Sequence, residues 1–581
     1  MKNILLLTLG VAFAHTTLAQ DSDMAIAKSN KVFNASAKGK VASPTALSGT
    51  YTIGGVSPDY ATFSAAAADL SSQGVSGPVI FTVAPGTYTE QVVINAIAGV
   101  SSTNRILFQS LNADSASVTL TFPSSATMTN NYTLRLNGAD YVTFSQLTFA
   151  RSGTATYSTI VELDSAAENT TFSHNRFLGA TGLTAINTDG SRSCIFSPAT
   201  SSHTNFVAVG NYFKNNANGI WINGDPLAFA TGALITNNVF ENFYVGIFLL
   251  NQDGPVITGN ILTRNNTSSA LDYYGISVRY CTGALLISKN KVIAFTGSYG
   301  IRLRACNGNA AAPGIMVNNF VQEGDATAGQ CISLEDDCSY QYILNNSTNH
   351  TGVNTTGRAL YITGAATAGL EIYNNIFCNA GGGFGMYVNT NATTGVVASD
   401  YNCIYSTGAV LAYWGGNAST LAALKLMSGK EVHSLSGSPV YTTANNLHAN
   451  AFVVNNTATP IIGVSDDIDG DTRSLTAPDI GADEFTPTGI ENISSYKVIS
   501  IFPNPATDYL TFETGFVLNS SMEISVVDVQ GKEVLQHSIH STAGQKNDRI
   551  YIGHIAAGSY FVKIQGAGKS YTASFIKTDV K

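Results

Sequence analysis

Charged side chains are scarce in this 581-residue chain, at 12% of positions, and proline is sparse at 15. Disordered tracts and long solvent-facing helices both need more charge than this, so neither dominates the chain. The seven cysteines are an odd number in a chain of this size and show no C-x-x-C spacing. That excludes a disulfide-dense scaffold and leaves no zinc signature. The nine histidines are unclustered, and there is no nucleophile elbow, phosphate loop or His-x-x-x-His pair. A basic excess is also missing. Residues 20–496 hold twenty Lys/Arg and thirty-one Asp/Glu, net -11, and residues 497–581 hold eight and seven, net +1. An acidic body lacks the footprint that phosphate neutralisation needs, so no nucleic-acid partner is expected.

Glycine is abundant at 54, and Tyr plus Phe (26 and 28) also reach 54, a mix that suits strands joined by small-residue turns. At the N-terminus, Lys2, the apolar run Ile4 to Ala14 and the small residues of Thr17-Leu18-Ala19 read as a signal peptide, with the mature chain starting at Gln20. The run is too short to span a bilayer, and no transmembrane segment is expected in the mature chain.

The dominant feature is an internal repeat. Asn followed by apolar residues recurs with its ladder position at Asn175, Asn211, Asn238, Asn260, Asn290, Asn319, Asn346, Asn375 and Asn402, in steps of 36, 27, 22, 30, 29, 27, 29 and 27. A second unit, a small residue and then an alternating strand, follows each copy: Gly219-Ile220-Trp221-Ile222, Gly246-Ile247-Phe248-Leu249, Gly275-Ile276-Ser277-Val278, and onward to Gly385-Met386-Tyr387-Val388. Two linked repeats of one period, each alternating with period 2, predict coils of short strands that must stack to bury their apolar edges. The repeated Asn is expected at the same bend of every coil, in left-handed backbone, with its amide bonding the coils above and below. Propeller blades are longer than this repeat, and the helical arm of leucine-rich repeats is missing.

The Asn-x-Phe ladder with its Gly-Ile-x-Val strand resembles the right-handed parallel β-helix repeats of the pectate-lyase-like superfamily, over roughly residues 50 to 410. The entry fits: a helical stretch from Phe63 to Leu70 would cover the open end of the first coil, as in many of its members. The segment Asp466-Asp467-Ile468-Asp469-Gly470-Asp471-Thr472-Arg473, with Pro478 to Phe485, resembles the closing segment of secreted bacterial β-helix proteins. From residue 497 a new unit starts, with Ile501-Phe502-Pro503-Asn504-Pro505, a Gly558-x-Tyr560 strand and a Lys-ending tail. Its alternating strands imply a small antiparallel sandwich. The set resembles the type A sorting domain of type IX secretion in Bacteroidetes, with Pro503, Asn504, Pro505, Gly558 and Tyr560 as the sorting signal.

The expected fold is all-β, a right-handed parallel β-helix followed by a small antiparallel Ig-like β-sandwich. Its order is a signal peptide (1–19), a linker (20–48), the β-helix with its N-terminal cap (49–410), a C-terminal cap (411–486), a linker (487–496) and the sorting domain (497–581). The resemblance implies a secreted or outer-membrane-anchored protein that meets the type IX machinery through residues 497–581.

With Ile220, Ile247 and their equivalents inward, the next residue of each coil faces out, giving Trp221, Phe248, Ser277, Arg302, Ser333, Tyr361 and Tyr387. A second column holds Asn223, Leu250, Arg279, Arg304, Glu335, Thr363 and Asn389. Aromatic faces stack on sugars and guanidinium forks bind carboxylates or sulfates, so Trp221, Phe248, Arg304, Tyr361 and Tyr387 are candidates for binding an acidic polysaccharide. The plainer reading is surface Tyr and Arg, with Arg302 paired to Glu335. Lyases of the superfamily use a basic residue next to a uronate carboxyl, which nominates Arg279, Arg302 and Lys289 by position. Hydrolases use paired carboxylates, which nominates Glu335 beside Asp336 and Asp337. Asn187-Thr188-Asp189-Gly190 and Asp336-Asp337-Cys338 resemble polygalacturonase motifs. They lie 147 residues apart, however, and the Gly-His-Gly and Arg-x-Lys motifs are absent, so the match reads as chance. Asp467, Asp469 and Asp471 have an oxygen spacing that suits calcium, the one ion suggested and no other cofactor, against Asx turns and pairing to Arg473. Cys281 and Cys306 should sit at adjacent levels within disulfide range, either bonded or as two buried thiols. The lead function is a secreted protein that binds, and in an enzyme reading cleaves, polysaccharide. The alternative is a non-catalytic adhesin or structural surface protein.

Overall fold

The structure, a computed structural model, describes residues 45–180, 189–199, 201–264, 274–294, 299–324, 328–487, 499–514, 523–538, 547–566 and 569–579. The expected signal peptide, residues 20–44 and residues 488–496 of the expected linker lie outside them, as do Asn187 and Thr188. The chain divides into two compact units, one ending at Thr488 and one beginning at Gly489.

The first unit is a parallel β-helix. Short strands alternate among three sheets: A, 13 strands from Leu47–Ile53 to Val396–Asp400; B, 12 strands from Gly86–Thr89 to Cys403–Ser406; and C, 13 strands from Val92–Asn95 to Asn417–Ala418. Except for Asn417–Ala418, which turns back antiparallel on Ala412–Trp414, each strand pairs with the equivalent strand of the next coil. The chain makes about twelve turns. Registers hold along the stack, as in Ile220↔Ile247, Ile247↔Ile276 and Ile276↔Ile301 in sheet C. Like residues therefore lie over like. Inside, Phe81, Phe108, Phe144 and Phe172 form a stack with centroids 4.6, 5.1 and 5.5 Å apart. Phe149, Phe177, Phe213 and Phe240 form another, at 5.4, 4.6 and 4.6 Å.

The asparagines form a continuous ladder. Each amide oxygen from Asn211 to Asn402 accepts both the backbone N–H and the Nδ2–H of the asparagine one coil earlier, as for Asn238 to Asn260 at 3.0 and 2.9 Å and Asn375 to Asn402 at 3.0 and 3.1 Å. The left-handed residue is the one before the ladder position, not the ladder Asn itself: Asn237, Lys289, Asn318, Asn345 and Asn374 have φ between 50° and 59°. The expectation of left-handed backbone was thus one residue out of register. Those preceding sites are often Asn or Gly, which bear αL cheaply, while the ladder Asn is needed for its amide.

Helix α1 (Phe63–Gln73) covers the first coil with Phe63, Ala66, Ala67 and Leu70 buried. Thr62 caps it by accepting the Ala65 N–H, and the Glu90 carboxylate accepts the N–H groups of Phe63 and Ser64. Helix α2 (Leu421–Ser428) packs on the last coil. Beyond it the chain runs back along sheet B. Leu435 bridges Cys403, Tyr441 donates to Thr348 O, and Asp466 reaches Lys289. The Asn ladder ends in this segment, where Asn402 donates to Ser434 Oγ and to the fully buried Glu431. All seven cysteines are free, buried thiols, Cys281 and Cys306 included.

The second unit holds a three-stranded and a four-stranded antiparallel sheet around one core that includes Leu510, Phe512, Ile524, Val562 and Phe575.

Candidate functional site

The outer face of sheet C carries the column read from the sequence, and its register runs further at both ends. It begins Val93, Arg135, Glu162, Phe196, Trp221 and Phe248. It continues Ser277, Arg302, Ser333, Tyr361, Tyr387 and Tyr413. Arg135, Glu162, Phe196 and Tyr413 were missed because their coils lack the Gly-Ile signature. The alternation Leu134-Arg135-Leu136 and Val161-Glu162-Leu163 was the signal available.

At the N-terminal end of the column lies a cleft of about 450 Å³. Phe196 and Trp221 line it with Glu162, Asn131, Asp189, Asn223, Met128 and Pro198. Trp221 is held in place, since its indole N–H donates to Asn223 Oδ1 at 3.2 Å and its ring stacks on Phe248 at 4.0 Å. Gly190, with φ +78°, presses so closely on Phe196 that a Cβ there would meet the ring at 2.0 Å. Glu162 is bridged by Arg135 Nη2 at 3.1 and 3.2 Å, yet burial raises its carboxyl above the ordinary value against that pull. Asp189 accepts the Ser191 N–H at 3.0 Å. Asp189 and Asp336 lie five coils apart, about 24 Å at the usual strand spacing.

The middle of the column is closed rather than open. Phe248 was expected to face solvent but is 5% exposed, because the Trp221 ring lies on it and the Arg279 guanidinium sits 5.0 Å from its centroid. Arg302 and Glu335 are ion-paired with side chains 10% exposed each, and Arg304 pairs with Asp336. Arg279 donates to Ser277 Oγ at 3.2 Å and lies 5.5 Å from the Tyr274 ring, with no carboxylate partner among the described residues. Burial first, then the like charges of Arg302 and Arg304, push its pKa down. At the far end the side chains open again. Tyr387 and Tyr413 stack at 4.4 Å, and Arg358 lies 4.5 and 4.6 Å from the rings of Tyr361 and Tyr387.

The aspartates of the closing segment do separate jobs. Asp467 is buried, and one of its oxygens accepts the N–H groups of Asp469, Gly470 and Asp471 at 2.8–2.9 Å while the other accepts that of Glu484. Asp469 bridges Lys291 and His448, and Asp471 is exposed. In the second unit, Asn504 accepts the Ile576 N–H at 3.0 Å and so ties the Pro503-Asn504-Pro505 turn to the last strand. Tyr560, two residues after Gly558, donates to Ala556 O and stacks on Phe575.

Residues 500–578 match the family described as secretion system C-terminal sorting domain, and residues 199–394 match the family described as periplasmic copper-binding protein (NosD). Among solved structures, rice weevil pectin methyl esterase is 12% identical, covering 55% of this chain and 83% of its own, with a TM-score of 0.24. Carrot pectin methylesterase is also 12% identical, covering 57% and 86%, with a TM-score of 0.21. No curated protein matches. No described helix is long and apolar enough to cross a membrane. Built as stacked coils and ending in that sorting domain, the chain is a secreted parallel β-helix protein carrying a type IX secretion sorting domain.

Proposed function

We propose that this secreted protein binds polysaccharide along the outer face of sheet C. The observation that carries the reading is the cleft over Phe196 and Trp221, whose aromatic residues stand among amide and carboxylate groups. Flat rings offer stacking to the C–H faces of a sugar, and the polar groups match its hydroxyls. The open tyrosines at the far end of the same column give a long chain a second foothold. Arg279, a cation without a carboxylate partner among the described residues, lies between the two and favours an anionic group on the bound polymer.

Arg302 and Glu335 use their charges on each other, which supports a positioning role over proton transfer for both. Glu162 and Asp189, lining the cleft, are the carboxyls that a sugar bound there would touch. Copper is not proposed. Among the described residues, no three His, Cys, Asp or Glu side chains within 199–394 converge, and burial pushes up the thiols of Cys306, Cys331, Cys338 and Cys378.

The test is affinity electrophoresis of the full chain against a panel of neutral and acidic polysaccharides. Trp221→Ala and Tyr387→Ala should each weaken retention by about five- to thirty-fold, as loss of one stacking platform worth roughly 1–2 kcal/mol implies. Arg279→Ala should weaken retention by acidic polymers only. Retention unchanged in both aromatic variants would contradict the proposal.

A further inference from the structure

The segment after α2 brings together three side chains that the face of sheet C does not use. His448 Nε2 lies 2.6 Å from Asp469 Oδ2, and a carboxylate oxygen of Asp483 joins them so that all three donor atoms fall within 4.8 Å of one another. Three features set this apart from an ordinary surface ion pair. Asp483 is 7% exposed. Its carboxylate accepts the backbone N–H of Ala449, takes no side-chain hydrogen bond among the described residues, and faces His448, Asp467 and Asp469. The other nitrogen of His448, Nδ1, is engaged by Asn446 Oδ1. With an acceptor at each ring nitrogen, Nε2 donates to Asp469 here, and a metal ion would take the place of that proton while Nδ1–H stays on Asn446. Three electron-pair donors facing one small space require a cation between them, either a proton on Nε2 or a metal ion.

We propose that His448 Nε2, Asp469 and Asp483 form a binding site for one divalent first-row metal ion of the zinc type. Imidazole plus two carboxylates suits such an ion. Calcium prefers six to eight oxygens and gains nothing from imidazole. Bonds of about 2.0–2.2 Å to each ligand need donors a little over 3 Å apart, so the His448–Asp469 contact opens slightly and the Asp483 oxygen closes in. Lys291, 2.8 Å from Asp469 Oδ1, is the competing cation, held on the oxygen that the metal does not use. His448, Asp469 and Asp483 come from three separate stretches of a segment almost without regular strands, Asp469 from the turn that the Asp466–Thr472 bridge closes, beside Lys291 and Phe320 of sheet B. One ion would join those stretches to each other, as a structural metal does. All three ligands lie outside the stretch that matches the NosD family, and the site is independent of the sugar-binding reading.

The experiment is isothermal titration of the EDTA-stripped full chain with zinc chloride and, separately, calcium chloride. The expected result is one saturable zinc site, at least ten-fold tighter than any calcium binding, and a zinc-dependent rise in thermal unfolding temperature. Asp483→Asn and His448→Gln should each lose that site. Lys291→Met, which removes the competing ammonium, should bind zinc more tightly. The wild-type titration does not depend on either ligand variant folding, and a chain that takes up no zinc at 100-fold molar excess overturns the proposal. So does zinc binding that persists in folded Asp483→Asn, or that is indifferent to Lys291→Met.

Discussion

At the residue scale, the amide of asparagine explains why one residue type repeats nine times. Asn319 Nδ2 donates to Ile287 O, Val317 O and Asn346 Oδ1, while its oxygen accepts two N–H groups from Asn290. No other side chain of that size both accepts and donates in this pattern. Asn319→Ala would leave several buried groups without partners, at about 1–3 kcal/mol each, for a total of roughly 3–5 kcal/mol. Urea unfolding should show that loss, and a change below about 1 kcal/mol would mean that the ladder is a by-product of stacking. The ladder was legible because a repeated need leaves a repeated residue. Its backbone conformation was not, because the left-handed site one position earlier accepts His174, Gly210, Asn237, Lys289 and Tyr401 alike and so leaves no single-residue signature.

At the scale of elements, close approach of sheet C to sheet B explains the small residue near the start of the sheet C strands from Gly219 to Gly385. A Cβ on Gly275 would meet Val292 Cγ1 at 2.4 Å and Gly300 O at 2.6 Å. Gly275→Ala should therefore destabilise the helix by about 1–3 kcal/mol, read as a lowered denaturation midpoint. An unchanged midpoint would mean that the coil relaxes without cost. The segment after α2 was far less legible. It has almost no periodic strand, and what holds it is a set of single contacts. Arg473 donates to Asn318 Oδ1 and Gly481 O, and Asn374 Nδ2 donates to Thr459 O. Asp479 belongs to this set, accepting the N–H groups of Asn456 and Phe485. Burial chiefly, with Glu484 nearby, pushes its pKa from 3.8 up to about 6. A carboxyl raised on folding contributes stability that is present below its unfolded pKa and lost as pH climbs through the folded one. Stability should thus fall between about pH 4 and pH 6, and Asp479→Asn should flatten that slope even if it lowers stability throughout. Urea midpoints of both proteins across this range supply the comparison, and identical slopes would remove Asp479 as the cause.

At the scale of the whole molecule, stacking in register makes the chain a ruler: a residue chosen once per coil becomes a column. That is why Trp221, Tyr361 and Tyr387 could be assigned to one face from sequence spacing alone. What covers a column is set by neighbours from other coils, so the burial of Phe248 under Trp221 and Arg279 could not be read from spacing, whereas the pairing of Arg302 with Glu335 was already one of the two readings that the columns offered. The central claim, that sheet C is the sugar-binding face, is tested most directly by hydroxyl-radical footprinting of the full chain with and without a retained polysaccharide. Trp221, Tyr361, Tyr387 and Tyr413 should be protected, while Tyr342 and Tyr373 on sheet A stay reactive. Protection of Tyr342 and Tyr373 with no change at Trp221 and Tyr387 would contradict the account.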